Sequence, residues 1–304
     1  MWSYDCKSKI KCISIKDDKI LVGCLNGWVH LFDNLKPIWT KKLTSTYYRD
    51  PYTDVNITSL DIYGKNVAVG TDFMDGKVYL FSEDGRLRWH RQFITIVGCW
   101  ERPDDIVAIS MSDEIVAVGS EWMNSYLHIL GIDGDLIDER ELEGSIKDLQ
   151  VKDNMIIVGT SSHLYINERK VTLPTSKIFV DNDDIFVSSS NCFYALDVEG
   201  NVKWGFKVEN PIFSVSDDTI AVAGNTLLLL SKDGEKLWEM KIRKPVCLHC
   251  KDESIYAGYH GHIEIIESGI VIDRIKVEGI PVHIGKYVVC VKDTTLIAYN
   301  EYAL

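Results

Sequence analysis

No apolar run in this chain approaches the roughly 20 residues that span a bilayer as a helix. The purest stretch near its middle, Leu227 to Leu230, is far too short. Nor is there an excess of basic charge. Against 33 Lys and Arg stand 45 Asp and Glu, a formal charge of −12. That balance argues against a general nucleic-acid binder, because neutralising phosphates takes clustered Lys and Arg. Eight cysteines in 304 residues are too sparse for a disulfide scaffold. Sustained apolar spacing of three and four residues behind a capping residue is nearly absent, which excludes a solenoid of helical repeats. Also absent are a Gly-rich phosphate loop, a Gly-x-Ser-x-Gly elbow and a His-Glu-x-x-His helix. Met1 to Asp5 has neither the basic start nor the apolar run of a signal peptide. The expectation is a soluble, cytoplasmic, non-membrane protein that does not bind nucleic acid directly.

What is present is a repeat. With 46% apolar and 26% charged residues the chain reads as globular. One short β-rich run ending in Gly or another small residue recurs along it. It reads Ile20-Leu21-Val22-Gly23, Val67-Ala68-Val69-Gly70, Val116-Ala117-Val118-Gly119 and Ile156-Ile157-Val158-Gly159. It returns at Ile185 to Ser188, Ile220 to Gly224, Ile255 to Gly258 and Tyr287 to Cys290. Eight anchors over 304 residues recur about every 38.

Each anchor sits in one four-part unit. In the sixth, Pro211 to Val215 precede the anchor and Ser216-Asp217-Asp218 form a polar turn. Thr226 to Leu230 follow it, then the turn Lys232-Asp233-Gly234, then Lys236 to Ile242. Four β-rich runs separated by Asp, Asn or Gly turns predict a four-stranded antiparallel meander. The first three runs are apolar, as for covered strands; the fourth alternates and carries the charges, as for an outer one. Such sheets repeated about an axis make a β-propeller.

The predicted class is all-β: a single domain over 1–304 with eight four-stranded blades. Their approximate bounds are 9–43, 57–93, 106–142, 145–173, 176–208, 211–242, 245–277 and 280–304. The last repeat supplies only three strands. Residues 1–6 are expected to be its outer strand, closing the ring and removing exposed edges. Trp2 there matches Trp39, Trp89, Trp204 and Trp238 on other fourth strands. Seven blades is the alternative, discarding residues 144–174, which lack the Trp.

Tyr194-Ala195-Leu196-Asp197-Val198-Glu199-Gly200-Asn201-Val202-Lys203-Trp204 resembles the tryptophan-docking repeat of quinoprotein-like propellers. The Gly-x-x-x-Trp half recurs as Gly85 with Trp89, Gly200 with Trp204 and Gly234 with Trp238. The turn before it is one residue shorter than in that family. Gly permits the tight turn, and Trp packs between neighbouring blades. Members that hold pyrroloquinoline quinone are periplasmic dehydrogenases with inserted active-site segments and a secretion signal. Those features, a vicinal Cys pair and a matching Glu/Asn/Asp set are not found here. The resemblance therefore implies the cofactor-free branch, or a WD40-like propeller, although the Gly-His and Trp-Asp signatures do not repeat.

In the usual propeller topology the loops between second and third strands share a face with the connections between blades. The longest of these fall in blades one to three. The first connection runs from Thr44 to Asn56 and carries Tyr47, Tyr48, Arg49 and Tyr52. The second runs from Ile94 to Asp105 and carries Trp100 and Arg102. The inner loops Asp72 to Gly76 and Glu121 to Ser125 add Phe73 and Trp122. Tyr, Trp and Arg are the residue types that anchor recognition surfaces, and long loops on a rigid scaffold carry function. These eight residues form the candidate partner-binding site; otherwise the aromatics close the mouth of the propeller against one another.

Other features are weaker. Cys247, His249, Cys250, His260 and His262 are zinc-ligand types without the spacing of a finger or ribbon. The alternating Arg86, Arg88 and His90, and the Lys241, Arg243, Lys244 group, read as solvated outer strands. Asp133-Gly134-Asp135 lacks the ligand series of a calcium loop. Asp61, Asp148 and His283 fall on predicted innermost strands. The function expected is a non-catalytic protein–protein interaction scaffold, a subunit of a complex, with no cofactor or metal. The alternative is a propeller enzyme with an axial site for a small polar ligand or metal.

Overall fold

The computed structural model describes the chain apart from residues 46–53, 154, 252–253 and 301–304, and without the side chains of residues 97 and 300. Strand is nearly the whole of it; the one helical turn among the described residues is Leu25–Gly27. The fold is an eight-bladed β-propeller. Eight sheets each hold four antiparallel strands in meander order, and one separate two-stranded hairpin joins them. The weak repeat is a blade like the others, built from Ile146–Lys152, Met155–Thr160, Leu164–Ile166 and Arg169–Val171. Eight blades, not seven, is therefore the count. Trp2–Asp5 pairs with Thr295–Asn300, so the final blade is built from both ends of the chain.

The chain divides into two compact units. One, Cys6–Thr175, contains the first four blades. The other joins Met1–Asp5 to Ser176–Leu304 and contains the last four.

Within each blade the second strand is the most buried. Lys19–Cys24, Asn66–Thr71 and Ile115–Glu121 lose nearly all solvent contact. First strands are only half covered, contrary to the expectation from their composition; Ile212–Val215 is partly exposed throughout. Fourth strands alternate, as Lys236–Lys241 does, since one face meets water. The core lies between successive blades. Val78, Leu80 and Phe93 of blade two pack with Ile106, Met111, Val116, Val118 and Leu130 of blade three.

At four anchors the closing glycine has a steric cause. A Cβ at Gly23 would stand 2.4 Å from Ile57 Cγ2, and one at Gly70 would stand 2.6 Å from Ile106 Cγ2. At Gly119 the neighbour is Ile146 Cδ1 at 2.9 Å, and at Gly258 it is Pro281 Cγ at 2.9 Å. In each case the next blade's first strand rests on the bare glycine. Gly70→Ala also drives its methyl to 2.4 Å from Ser59 Oγ. The expected result is a fall of roughly 1–3 kcal/mol in unfolding free energy, the cost of overpacking a filled core. Urea unfolding followed by circular dichroism reads it.

Tryptophan docking follows the expected logic with one change of partner. Trp39 Nε1 donates to Glu83 O at 3.0 Å, Trp89 Nε1 to Ile132 O at 2.9 Å and Trp204 Nε1 to Lys232 O at 3.1 Å. Each indole lies on the turn glycine of the following blade: Gly85 under Trp39, Gly134 under Trp89, Gly234 under Trp204. These glycines hold φ of 83°, 95° and 87°, where other residues are strained. Gly and Trp within one motif thus serve two different interblade contacts.

Candidate functional site

The second connection is not a loop. Ile94–Val97 and Trp100–Pro103 form an antiparallel hairpin between blades two and three. Ile94, Thr95 and Ile96 are strand formers, and Gly98, with φ of 63°, supplies the reversal. Pairing sets the faces: Thr95 lies opposite Arg102, and Ile96 opposite Glu101. Trp100, two residues before Arg102, therefore shares its face.

Arg102 reaches back from the hairpin. Its guanidinium carbon lies 4.1 Å from the Phe73 ring centroid and 5.6 Å from that of Trp122. Three of the expected residues, from three separate segments, thus meet in one cation–π group. Trp100 stands apart from it, 73% exposed, with Ile96 at 69% and Met123 at 64%. Tyr47, Tyr48, Arg49 and Tyr52 lie outside the described residues. The base of their connection is pinned, because Thr44 bridges Asp54 and Lys42 pairs with Asp54 at 3.1 Å.

The loop that presents Phe73 is held from all sides. The Phe73 amide donates to Asp105 Oδ1 at 2.8 Å, and Ser45 Oγ donates to Met74 O at 2.5 Å. Asn56 Nδ2 donates to Asp72 Oδ2 at 2.6 Å. Burial pushes the Asp72 carboxyl up despite these donors. Beneath it the wholly buried Asp75 accepts from Lys77 Nζ at 2.9 Å and Tyr79 Oη at 2.5 Å. Burial first, then Asp75, raises the Tyr79 phenol.

Sequence reading missed a buried polar position that recurs on the third strands. In blade one it is His30, with Nδ1 3.0 Å from Thr40 Oγ1 and Nε2 3.1 Å from Cys6 O. In blade two it is Tyr79, and in blade three His128. The available signal was the alternation Trp28-x-His30-x-Phe32 and Tyr126-x-His128. His30 also lies with Cys6 and Cys24 in a buried group whose ligand atoms are all within 4.8 Å of one another. The types suit a soft metal ion. Both imidazole nitrogens, however, already have hydrogen-bond partners, and Nε2 must carry a proton to bond a carbonyl. Cys247, His249, Cys250, His260 and His262 do not form such a group among the described residues. Cys250 is buried beside Thr219, and Cys247 is raised to about 12 by burial.

Around His128 the network is longer. Its Nδ1 lies 2.9 Å from Glu139 Oε2, and its Nε2 lies 2.9 Å from Ser120 Oγ. Ser120 Oγ is also 3.0 Å from Asp104 Oδ2. Ser, His and Glu are joined in the order of a hydrolase triad, but Ser120 is completely buried and no carbonyl can reach its hydroxyl. Burial lowers the His128 pKa in spite of Glu139 and Asp104. Asp104 Oδ1, also buried, has no partner.

Of the axial candidates, Asp61 spends its carboxylate on Met111 N at 2.7 Å and Ile62 N at 2.8 Å. Burial nevertheless raises it to about 6. His283 is lowered to about 4 by burial and then by His249. No helix among the described residues is long and apolar enough to cross a membrane.

No protein-family model matches the chain, and no curated protein does. Solved structures do. BamB from Moraxella catarrhalis aligns with a TM-score of 0.72 at 15% identity, over 99% of this chain and 96% of that one. Sqt1 from Saccharomyces cerevisiae gives 0.67 at 12% identity, over 98% and 97%. The C-terminal WD40 domain of Sif2 gives 0.63 at 13% identity, over 87% and 84%. At such identities the likeness is one of fold alone. It supports a β-propeller and does not choose between the quinoprotein-like and WD40-like branches.

Proposed function

We propose that this propeller is a non-catalytic platform for protein partners, and that its recognition surface is the raised face over blades one to three. The observation that carries the reading is the hairpin Ile94–Val97/Trp100–Pro103, which holds Trp100 out at 73% exposure on the face it shares with Arg102. Large apolar side chains held clear of a β-scaffold are costly to leave in water and gain by being covered. The Phe73–Arg102–Trp122 group stiffens the base of that surface, so little order is lost when a partner docks. Tyr47, Tyr48, Arg49 and Tyr52 belong to the same reading through their place in the first connection. The cytoplasm is the proposed location, and a basic or neutral partner suits the acidic chain.

The test is affinity capture from native lysate, quantified by mass spectrometry. Trp100→Ala and Trp122→Ala are each expected to deplete specific partners about tenfold or more, as loss of an anchoring Trp does. Undiminished partners with unchanged circular dichroism would overturn the proposal.

A further inference from the structure

Beside the hairpin, blades two and three leave a cleft of about 410 Å³. Arg91, Gln92 and Phe93 line one side, Tyr126, His128, Leu136 and Glu139 the other, with Ile94 and Ile96 at the hairpin and Asp104 also contributing. Three properties of this cleft point to one chemistry.

The first is an acceptor without a donor. Asp104 is only 2% exposed, its Oδ2 is near Ser120, and its Oδ1 has no hydrogen-bond partner. A buried carboxylate left short of donors is expensive, and a cation seated over it offsets part of that cost. The second is charge. Glu139 is a second carboxylate on the wall. Against the two, the described lining sets one guanidinium, that of Arg91, whose Nη1 donates to Gly134 O at 3.1 Å, so the carboxylates outnumber it. The third is shape. Phe93 lies 4.2 Å from the His128 ring centroid, and Tyr126 stacks on the same ring at 6.1 Å. Flat walls of this kind take a planar cation or an apolar stem.

Resting on the platform reading above, we infer that this cleft receives an arginine side chain from an extended segment of the partner protein. The guanidinium meets the half-exposed Glu139 carboxylate with its planar N–H fork, which a lysine ammonium does less well, and the Asp104 charge beneath adds to the attraction. The methylene stem lies along Phe93 and the Tyr126 wall. Residues flanking the arginine are apolar, since Ile94, Ile96 and Leu136 edge the cleft at 37%, 69% and 41% exposure. That flanking demand selects a peptide over free arginine.

The full-length protein is titrated by calorimetry with acetyl-Leu-Arg-Leu-amide, with the same peptide carrying lysine or the uncharged isostere citrulline, and with acetyl-arginine amide. The arginine peptide is expected to bind saturably and the other three roughly tenfold or more weakly, the scale of one lost charge-assisted contact. Glu139→Gln, at a half-exposed position, and Asp104→Asn are each expected to weaken the arginine peptide by about tenfold or more. Thermal melting confirms that both variants are folded. Absence of saturable binding, equal binding of citrulline or lysine peptides, or insensitivity to Glu139→Gln overturns the inference. Equal binding of acetyl-arginine amide overturns the peptide as its source. Partner capture that depends on Trp100 but not on Glu139 removes the cleft and leaves the platform standing.

Discussion

Replacing Trp89 by Ala lowers the free energy of unfolding by about 3–5 kcal/mol, the range for truncating a packed tryptophan. The indole bridges blades two and three in two ways. Its ring packs against the cluster of Phe93, Ile106 and Val118, and its Nε1 donates to Ile132 O at 2.9 Å. No neighbour can fill the vacancy, because the turn below is a glycine whose absent Cβ would lie 2.9 Å from the ring. Trp89→Phe separates the two contributions. It keeps most of the apolar contact and loses one hydrogen bond, so it is expected to cost nearer 1 kcal/mol from that bond. Urea unfolding read by far-ultraviolet circular dichroism measures both, since the change itself alters fluorescence. Trp204→Ala is expected to match Trp89→Ala, because Lys232 O and Gly234 repeat the geometry. A loss below about 1 kcal/mol for Trp89→Ala would show that the docking contact does not hold the blades together.

The second large effect is concealed in the wild-type protein. Asp61 has its pKa raised by burial from 3.8 to about 6. The folded state therefore holds a proton that the unfolded state has released. Its contribution is fully present below pH 3.8 and is lost as pH rises through about 6. His283 is lowered by burial from 6.5 to about 4. The folded state there resists a proton that the unfolded state takes. Its contribution is present above pH 6.5 and is lost as pH falls through about 4. At 1.36 kcal/mol per pKa unit each effect is about 3 kcal/mol, and the two have opposite signs over the same window.

Variants expose them. From pH 4 to 6.5, the stability of the wild type relative to Asp61→Asn is expected to fall by about 3 kcal/mol. Over the same range its stability relative to His283→Gln is expected to rise by a similar amount. Urea unfolding at half-unit pH steps gives both differences. Flat differences would show that neither group changes its proton affinity on folding.

The repeat was legible because its causes are local. Strand alternation, Asp and Gly turns and the recurring small residue all lie within one unit of about 38 residues. Eight anchors and a three-stranded last repeat were enough to assign Trp2–Asp5 to the final blade. The hairpin at Ile94 was read as a loop, although its alternation and Gly98 were visible. A connection that stands out by its length can contain strands of its own.

The candidate surface was legible only by residue type. That Phe73, Arg102 and Trp122 meet depends on hydrogen bonds such as Phe73 N to Asp105 Oδ1, between residues 32 apart in sequence. The polar position shared by His30, Tyr79 and His128 shows in the sequence only as the alternation around the two histidines, and strand spacing does not tell a buried histidine from a solvated one.

By itself the sequence determined the class of fold and the order of strands within each blade, and favoured eight blades over seven, because period, turn chemistry and apolar runs act between near neighbours. Only the tertiary structure decided which side chains from different blades face one another. The orphaned oxygen of Asp104, the chain from Ser120 through His128 to Glu139 and the cleft they border arise where two blades abut. Spacing along the chain carries no record of such juxtapositions, since each depends on how neighbouring sheets pack.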